Sequence, residues 1–410
     1  MKKFKKIFII TISTLLVVGT FLYYRLQPVF ELNKLPVYKG NTNFEWNKHS
    51  YDPSKKTVVI IADNDGTEMF DCLAPFYLFN ASGMANVYII AEKKAPVVMA
   101  KGLFILPSFG FSEIDSLKIK PDVIVIPNQS IAIDKPQKAS TVNWIKEHYT
   151  GKNIILSVCD GSATAAATGL YDSKPITTHA SDFNKIRKLY PKAGWVNNVS
   201  VTQSGNLFST AGVSNATEGS LAVINYLFGR ETMLKVLNDI EYPFAEIKTD
   251  HKSIPLGTDD ILTVLKKVIF KRNNKIGVLL SDSINEFKLA GLLDTYIRTV
   301  PSGIETLILN GFSVTSKYGL TMYPTGIFNA QSFDEIHVLM PELITVDDKK
   351  LLAASKLVTY NHKQAGYPID NYLIRIGNQY GTQFKGIVKV MLDFNWRWLK
   401  KTKCHYTEIG

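Results

Sequence analysis

Cysteine and histidine are scarce in this chain of 410 residues, which contains three cysteines and seven histidines. Cys72, Cys159 and Cys404 are too few for a disulfide framework, and no Cys-x-x-Cys motif is present. Cys404 is followed directly by His405, a spacing that zinc sites do not use. The other histidines are scattered, and none pairs at the spacing of two metal ligands on a helix. We therefore expect no metal site and no cofactor.

Acidic residues are fewer than basic residues: the chain contains 36 Asp and Glu and 47 Lys and Arg, which gives a net charge of +11. Part of the surplus lies at the two ends of the chain, in Lys2, Lys3, Lys5 and Lys6 and in Arg397, Lys400, Lys401 and Lys403. These ends suit anionic lipid or wall polymer, whereas elsewhere a solvated basic surface is an equally good explanation. The hydrophobic fraction of 46% indicates a globular protein, and the length suits two domains.

A long uncharged run, "IFIITISTLLVVGTFLYY" at residues 7–24, follows the lysine-rich start. Its 18 residues are enough for a helix that crosses a bilayer, and the lysines before it favour a cytoplasmic N-terminus. A cleaved signal peptide is the alternative, but "FLYYRLQP" contains no cleavage site of the small-x-small type. We expect a single-pass membrane anchor over residues 1–25, a polar stalk over residues 26–54, and the bulk of the chain outside the cytoplasm.

Short β-branched runs alternate with helix-length stretches from Thr57 onward. The runs are "TVVIIA", "NVYIIA", "DVIVIP" and "NIILSV", a pattern typical of buried parallel strands in βαβ units. They predict a flavodoxin-like α/β domain over residues 55–240, with a parallel sheet between helices. "MFDCLAPFYLFNAS" predicts an amphipathic helix after the first strand, and "TEGSLAVINYLFG" predicts a closing helix that ends at Gly229.

After a linker helix expected within residues 241–272, the strand and helix pattern restarts. "NKIGVLLSDSINEFKLAGLLDTYIRTV" repeats the order of the first strand, Asp-containing turn and helix, and "DEIHVLMPE" resembles "PDVIVIPNQ". We interpret residues 273–410 as a degenerate second copy of the domain. Chance similarity between two α/β domains is the alternative. No counterpart of the cysteine-containing segment "ILSVCDGSATAAATGL" is present, so this copy should be catalytically silent.

Cys159 lies between a predicted strand and a predicted helix, within "NIILSVCDGSATAAATGL". A turn of this kind places its residue at the carboxyl edge of a parallel sheet, where ligand sites form. Amides behind the turn lower a thiol's pKa and bind an oxyanion, and Gly161 suits the close packing of such a turn. Two readings stay open on spacing alone: a nucleophile held out at a sharp turn, or a small buried residue.

The region around Cys159 resembles the ThiJ/PfpI family of the class I glutamine amidotransferase-like superfamily. The resemblance rests on the order of "CDGS", "ATGL" and "TTH", and on "SGNLFSTAGVSNATEGSLAVINYLFGRE", which is similar to the strand, turn and closing helix that follow in the family. It covers residues 57–231 and is closest to the branch of isocyanide hydratases and the amidase-like domains of AraC-type regulators. Those regulators carry a helix-turn-helix reader that has no counterpart in this chain, so we expect no nucleic-acid partner.

The resemblance implies roles for three side chains. Cys159 matches the family nucleophile, and Asp71 matches the carboxylic acid on the first helix that hydrogen-bonds the thiolate. A carboxyl that faces a thiolate in a poorly solvated site is expected to be protonated. His179 matches a histidine that lies near the cysteine in several members. Asp71 as a solvated helix residue, and His179 as a packed side chain without a proton-transfer role, are the alternatives.

The sequence departs from the family at two places. The loop after the third strand is "PNQS" at residues 127–130, where active members often have Gly-Gly, and Asp160 puts a carboxylate next to the thiol, which raises its pKa. Backbone amides of Asp160, Gly161 and Asn128 are the expected oxyanion donors. Cys72 is either a redox partner within reach of the site or a core residue on the opposite helix face.

Two functions from different classes follow from these residues. The first is a cysteine-dependent hydrolase, hydratase or lyase that acts on a small electrophile. The second is a non-catalytic extracytoplasmic module that binds a ligand or senses oxidation through Cys159. Because relatives commonly dimerise, we also expect the second domain to dock on the first as a built-in partner, which would make the chain an intramolecular pseudo-dimer.

Overall fold

The structure is a computed structural model that describes residues 2–31, 34–40, 44, 46, 49–99, 102–129, 135–326, 328, 333–360, 366–394 and 406–409. Cys404, the basic residues 397–403 and Ser130 therefore lie outside the described residues. The helices in chain order are α1 (Lys2–Glu31), α2 (Met69–Ser82), α3 (Phe111–Ser116), α4 (Ala139–His148), α5 (Gly161–Ala167), α6 (Phe183–Leu189), α7 (Ala216–Asp239), α8 (Thr258–Phe270), α9 (Glu286–Ile297), α10 (Val346–Leu352), α11 (Pro368–Tyr380) and α12 (Thr382–Met391).

The strands form four sheets: two large, mostly parallel sheets, a four-stranded antiparallel sheet and a two-stranded parallel sheet. In chain order they are β1 (Lys56–Ala62), β2 (Ala85–Ala91), β3 (Val97–Met99), β4 (Leu103–Ile105), β5 (Phe109–Gly110), β6 (Val123–Ile126), β7 (Ile154–Ser157), β8 (Pro175–Ile176), β9 (Gly194–Trp195), β10 (Val201–Ser204), β11 (Leu207–Thr210), β12 (Lys275–Leu279), β13 (Gly303–Leu307), β14 (Val314–Thr315), β15 (Thr321–Pro324), β16 (Glu335–Val338), β17 (Lys356–Tyr360) and β18 (Tyr406–Ile409).

The first half of the chain is built on a seven-stranded sheet in the order β10-β11-β7-β6-β1-β2-β5. All neighbours pair in parallel except β10 and β11. Residues 58–62 of β1 are at most 1% exposed because helices cover both faces of the sheet. The predicted α/β fold with a mostly parallel sheet is therefore confirmed for this half.

The second half contains a five-stranded sheet in the order β13-β12-β16-β17-β18. The first four strands pair in parallel, in an order that corresponds to β2-β1-β6-β7 of the first sheet, and β18 pairs antiparallel to β17. Residues 361–365, which follow β17 where a cysteine turn follows β7, lie outside the described residues.

The two halves pack directly against each other through their first helices. Twelve of the fourteen residues of α2 are buried, although the sequence predicts an amphipathic helix. The second buried face exists because α9 of the other half covers it, and the rings of Phe70 and Phe287 lie 5.1 Å apart at this contact. A four-stranded sheet in the order β14-β15-β4-β3 joins the halves as well, since β4 pairs antiparallel with β15.

Two helices differ from the sequence expectation at their ends. The helix α1 continues past Tyr24 to Glu31, so residues 26–31 of the expected stalk are helical. Its segment Ile7–Glu31 is long and apolar enough to cross a membrane, a property that a signal sequence shares. Gly229 interrupts α7 with a φ of 83°, as its predicted stop position requires, but a second helical segment follows it to Asp239.

Candidate functional site

Cys159 occupies a sharp turn between β7 and α5. Its backbone is in the left-handed region, with a φ of 54°, which is uncommon for a residue other than glycine. Gly161 allows this turn because a Cβ at that position would lie 2.1 Å from the carbonyl oxygen of Ile126 at the end of β6. The Cys159 amide donates to Thr210 Oγ1 at 3.4 Å, which fixes the turn to the end of β11. The strand, turn and helix therefore have the geometry of a nucleophile elbow.

The thiol of Cys159 is closed off from solvent, with 2% of the residue exposed. Burial raises the pKa of the Cys159 thiol well above its usual range, and the nearby carboxyls of Asp71, Asp160 and Glu68 raise it further. The backbone N–H of Asp160 acts in the opposite direction because it favours the thiolate. In this closed arrangement Cys159 is therefore a neutral thiol.

The carboxyl of Asp71 is fully buried beside the cysteine. The alternative interpretation of Asp71 as a solvated helix residue is therefore wrong. Its Oδ2 accepts a hydrogen bond from the Asn128 amide at 3.1 Å, and its Oδ1 is buried without a partner among the described residues. Burial raises the pKa of Asp71 well above its usual range, and the charges of Asp294 and Asp160 add to the effect. The neutral acid is thus favoured, and it can donate a proton from Oδ1.

Two of the three expected oxyanion donors are occupied. The Asn128 amide donates to Asp71, and the Gly161 amide donates to the Val158 carbonyl at 2.9 Å. The Asp160 amide is the donor that faces the thiol. The side chain of Asp160 is held by a hydrogen bond of its own, because its Oδ1 accepts from Thr178 Oγ1 at 2.7 Å. Burial raises the pKa of Asp160 to about 6.

His179 lies next to this cluster and is 8% exposed. Its Nδ1 accepts from the Ser181 amide at 3.2 Å, so the proton is placed on Nε2, which lies 3.3 Å from the Met391 carbonyl oxygen. Both ring nitrogens are therefore used by the backbone. In this conformation His179 packs beside the site and connects it to the second half of the chain.

A segment of the second half, residues 391–394, makes hydrogen bonds with His179 and Ser214 near the site and is termed the covering segment. The Ser214 amide donates to the Leu392 carbonyl at 3.0 Å, and Ser214 Oγ donates to the Asp393 carbonyl at 3.1 Å. His251 Nε2 lies 3.0 Å from Asp393 Oδ1. A Cβ on Gly212 would lie 2.2 Å from Asp393 Cβ, so only glycine admits the segment this closely.

A buried ionic network beneath the covering segment also spans both halves. Arg298 lies 2.7 Å from Asp294 Oδ1 and 3.3 Å from Glu68 Oε1, and its Nε donates to the Met391 carbonyl at 3.1 Å. Glu68 in turn accepts from the Asp71 amide at 2.8 Å. Burial raises the pKa of Glu68 well above its usual range, with further contributions from Asp294 and Asp71. One guanidinium thus faces several carboxyls close to Cys159.

Sequence reasoning missed Arg298, Asp294 and Asp393. They lie in the second half, more than 130 residues after Cys159 in the chain, and no local motif marks them. Asp294 lies on the helix "EFKLAGLLDTYI", which packs against α11 of its own half and against α2 of the first half.

Cys72 is fully buried in the hydrophobic core, where burial raises the pKa of its thiol far above the usual range. Cys72 and Cys159 are both free thiols. Within the described part of the chain, no group of three or more His, Cys, Asp and Glu side chains is arranged to hold a metal ion.

Proteins of known identity are similar to the first half of the chain. A model of the DJ-1/PfpI family matches residues 55–225. An isonitrile hydratase from Pseudomonas putida is 25% identical over 176 residues, which cover 43% of this chain and 74% of the hydratase. Protein dj-1beta from Drosophila melanogaster is 23% identical over 184 residues, which cover 45% of this chain and 95% of that protein.

Solved structures of similar proteins cover the same half. The crystal structure of Drosophila melanogaster DJ-1beta is 20% identical, with a TM-score of 0.40, and the match covers 45% of this chain and 97% of that one. A ThiJ/PfpI family protein from Pseudomonas syringae is 21% identical, with a TM-score of 0.41, and the match covers 50% and 83%. The family resemblance that the sequence around Cys159 predicts is confirmed: residues 55–225 form a DJ-1/PfpI family domain, and the hydratase relative agrees with the predicted branch.

Proposed function

We propose that this protein is a membrane-anchored, cysteine-dependent enzyme of the hydratase or hydrolase type that acts on a small uncharged electrophile. The observation that carries the proposal is the buried Oδ1 of Asp71, which has no partner among the described residues and belongs to a carboxyl held neutral by burial. An unpaired buried acid is costly for stability, so its retention beside an elbow cysteine favours a role as proton donor.

The charges around the thiol argue for an uncharged substrate. Glu68, Asp160 and Asp294 surround the region, and Arg298 is the cation that pairs with two of them. An anionic substrate would meet further carboxyls in a site of low dielectric, which costs free energy. A neutral molecule with an electrophilic carbon avoids this cost.

Hydration of an isonitrile, the reaction in the name of the P. putida relative, illustrates the chemistry. The Cys159 sulfur bonds to the terminal carbon while Asp71 gives that carbon a proton and then accepts the thiol proton. Water next adds to the carbon, a proton passes to the nitrogen, the carbon–sulfur bond breaks, and the thiol regains its proton. The net change is the addition of one water to give a formamide. The Asp160 amide is placed to stabilise negative charge near the sulfur.

The second half acts, in this proposal, as a built-in partner that closes the site. Its strand order, the contact of α2 with α9 and the shared sheet of β4 and β15 support a degenerate tandem copy that forms a pseudo-dimer within one chain. Cys159 is 2% exposed, and residues 391–394 bond to His179 and Ser214, so the proposal has this segment move away from those two residues when substrate enters.

The membrane anchor is tested separately from the chemistry. The apolar length of Ile7–Glu31, with none of its most apolar window buried, supports a membrane span, and the lysines that precede it support an orientation with the bulk of the chain outside the cytoplasm. Membranes from cells that express the full chain should retain it after alkaline carbonate washing. Release into the supernatant would show that α1 is removed or only peripheral.

A second candidate function is a non-catalytic module that binds a ligand or senses oxidation through Cys159. The closed thiol, its raised pKa and the occupied amides of Asn128 and Gly161 favour the ligand-binding form of this module, whereas oxidation sensing would need the thiol to become exposed and ionised. Under this alternative, any bound small molecule should still bind to Cys159→Ala with unchanged affinity, and no product should form.

The experiment that separates the two functions is a turnover assay on the full chain in an uncharged detergent. A short alkyl isonitrile, an alkyl nitrile and a small aldehyde serve as substrates, and products are identified by mass spectrometry. We expect turnover that Cys159→Ala abolishes and that Cys72→Ala retains, with both variants showing the wild-type circular dichroism spectrum. Turnover that survives Cys159→Ala, or none with any of the three electrophile classes, contradicts the enzyme proposal.

A further inference from the structure

A mostly apolar cavity of about 590 Å³ lies on the four-stranded sheet that joins the two halves of the chain. Phe104 of β4 and Tyr323 of β15 are paired directly across this sheet, so their side chains stand on the same face of it. Tyr38, from the segment after α1, packs edge-on against both rings, at centroid distances of 5.2 Å from Phe104 and 5.6 Å from Tyr323. The first half, the second half and the segment after α1 therefore each supply part of the wall.

The size and lining of this cavity are those of a small-molecule site. Such sites have volumes of roughly 300–1,000 Å³, are lined mainly by apolar and aromatic side chains, and often form where two domains meet. The side chains that dominate the lining here are Tyr38, Phe104, Ile308, Phe312, Tyr323 and Phe328. They are suited to contact the hydrocarbon part of a ligand.

The mouth of the cavity carries apolar side chains that water reaches. Phe312 is 86% exposed and Val37 is 74% exposed, and both line the cavity. Exposed apolar side chains that are continuous with an apolar cavity are typical of a binding surface. A ligand with an apolar chain would remove them from water when it binds.

One positive charge stands beside this apolar volume. Lys39 is exposed and is the one charged side chain among the described lining residues, and it forms no ion pair within the described part of the chain. The carboxylate of Glu305 lies close to Gly326 of the wall, but it pairs with Lys275 at 3.1 Å. A ligand that complements this arrangement has an apolar chain and a single negative charge at one end.

The cavity is close in the chain to the apolar N-terminal helix. The helix α1 ends at Glu31, and Val37 of the cavity follows six residues later. Even a fully extended chain of six residues spans no more than about 22 Å. If α1 crosses the bilayer, as proposed above, amphiphilic molecules of the membrane are therefore present near the mouth of the cavity.

We propose that this cavity binds a single-chain amphiphile with a carboxylate headgroup, of the long-chain fatty acid class. The hydrocarbon chain lies against the aromatic rings of Tyr38, Phe104 and Tyr323, and Lys39 pairs with the carboxylate. The site is separate from Cys159, and it requires no reaction there. The supply of the ligand from a bilayer rests on the proposed membrane anchor, whereas the binding itself does not.

The test is photolabelling of the full chain in phosphatidylcholine nanodiscs, with a dodecanoic acid that carries a diazirine on its chain. Mass spectrometry identifies the labelled peptides. We expect saturable labelling of peptides from residues 102–105 and 303–326, and labelling of α1 that rises without saturation because α1 meets the bulk lipid. Unlabelled dodecanoate should displace the probe from the cavity peptides at a concentration about tenfold or more below that of dodecanol.

Two variants decide whether the labelling occurs in this cavity. Lys39→Gln should raise the concentration of dodecanoate needed for displacement about tenfold or more, and its exposed position leaves folding unaffected. Lys55→Gln is the matched control, since Lys55 is an exposed lysine of the same N-terminal region that does not line the cavity. Ile308→Trp should fill the cavity and abolish saturable labelling, with the circular dichroism spectrum of the wild type retained.

Three outcomes overturn the proposal. The first is labelling of the cavity peptides that is absent or that follows α1 without saturation. The second is equal displacement by dodecanol and dodecanoate, which excludes the carboxylate headgroup. The third is an unchanged displacement curve in Lys39→Gln, which remains decisive even if Ile308→Trp does not fold.

Discussion

The carboxyl of Asp71 and the backbone amide of Asn128 are joined by a hydrogen bond of 3.1 Å that uses Oδ2 and leaves Oδ1 of the acid without a partner in the described part of the chain. This pairing links the first helix to the loop after β6, and it orients the acid toward the elbow. It also removes the Asn128 amide from the set of oxyanion donors. The site therefore offers the Cys159 thiol one acid, that of Asp71, and one backbone amide, that of Asp160.

The first prediction concerns Asp71→Asn. The amide keeps an oxygen that accepts from Asn128, so the free energy of unfolding should change by less than about 1 kcal/mol. It cannot pass a proton, so turnover should fall by about 100-fold or more. Steady-state kinetics beside denaturant unfolding checks both expectations. An active Asp71→Asn protein would remove the proton-donor role.

The second prediction concerns the pKa of Cys159. Because burial and adjacent carboxyls raise this pKa, alkylation by iodoacetamide should have a midpoint above the unperturbed value of about 8.5. Asp160 has a pKa of about 6, so it is ionised where the thiol titrates, and Asp160→Asn should lower the midpoint by about one unit. Peptide mass spectrometry follows the reaction at each pH, with Cys159→Ser as the blank. A wild-type midpoint below the unperturbed value would contradict a thiol pKa raised by burial.

The third prediction concerns access to Cys159 under the covering segment. Asp393→Ala removes the bond to His251 and leaves alanine in a left-handed conformation with a φ of 53°, which alanine tolerates less well than aspartate. The segment should open more often, and alkylation of Cys159 at fixed pH should accelerate about tenfold or more. Asp347→Ala, at an exposed aspartate of the same half, is the matched control. Unchanged rates would show that residues 391–394 do not limit access.

The fourth prediction concerns the contact between the halves. Arg298→Met leaves Glu68 and Asp294 buried without their cation, so unfolding should cost about 3 kcal/mol less than in the wild type. Arg230→Ala breaks an exposed ion pair with Glu246 and should change the free energy by less than about 0.5 kcal/mol. Urea unfolding of both variants provides the comparison. A similar small change for both would mean that Arg298 does not stabilise the interface.

The sequence predicts those features that depend on neighbours along the chain. The parallel strands are readable because each is buried on both faces and appears as a continuous apolar run, as in residues 58–62. The turn at Cys159 is readable because Gly161 follows it at the position where only glycine fits. The role of Asp71 came from a family resemblance, and the structure adds its burial and its pairing with Asn128.

Contacts between segments that are distant in the chain could not be predicted from the sequence. The burial of α2 on two faces depends on α9, and the sequence of either helix alone does not show that the other covers it. Arg298 pairs with Glu68 and Asp393 pairs with His251 only because the two halves dock, and such ion pairs leave no periodic pattern in a sequence.

The sequence by itself determined the apolar N-terminal helix, the α/β domain and the cysteine at a strand-to-helix turn, because burial periodicity and turn chemistry act over a few residues. The tertiary structure alone decided that the thiol is buried, that burial favours the neutral form of the acid beside it, and that the second half packs against α2. Those properties arise from desolvation, and desolvation depends on which surfaces meet in three dimensions.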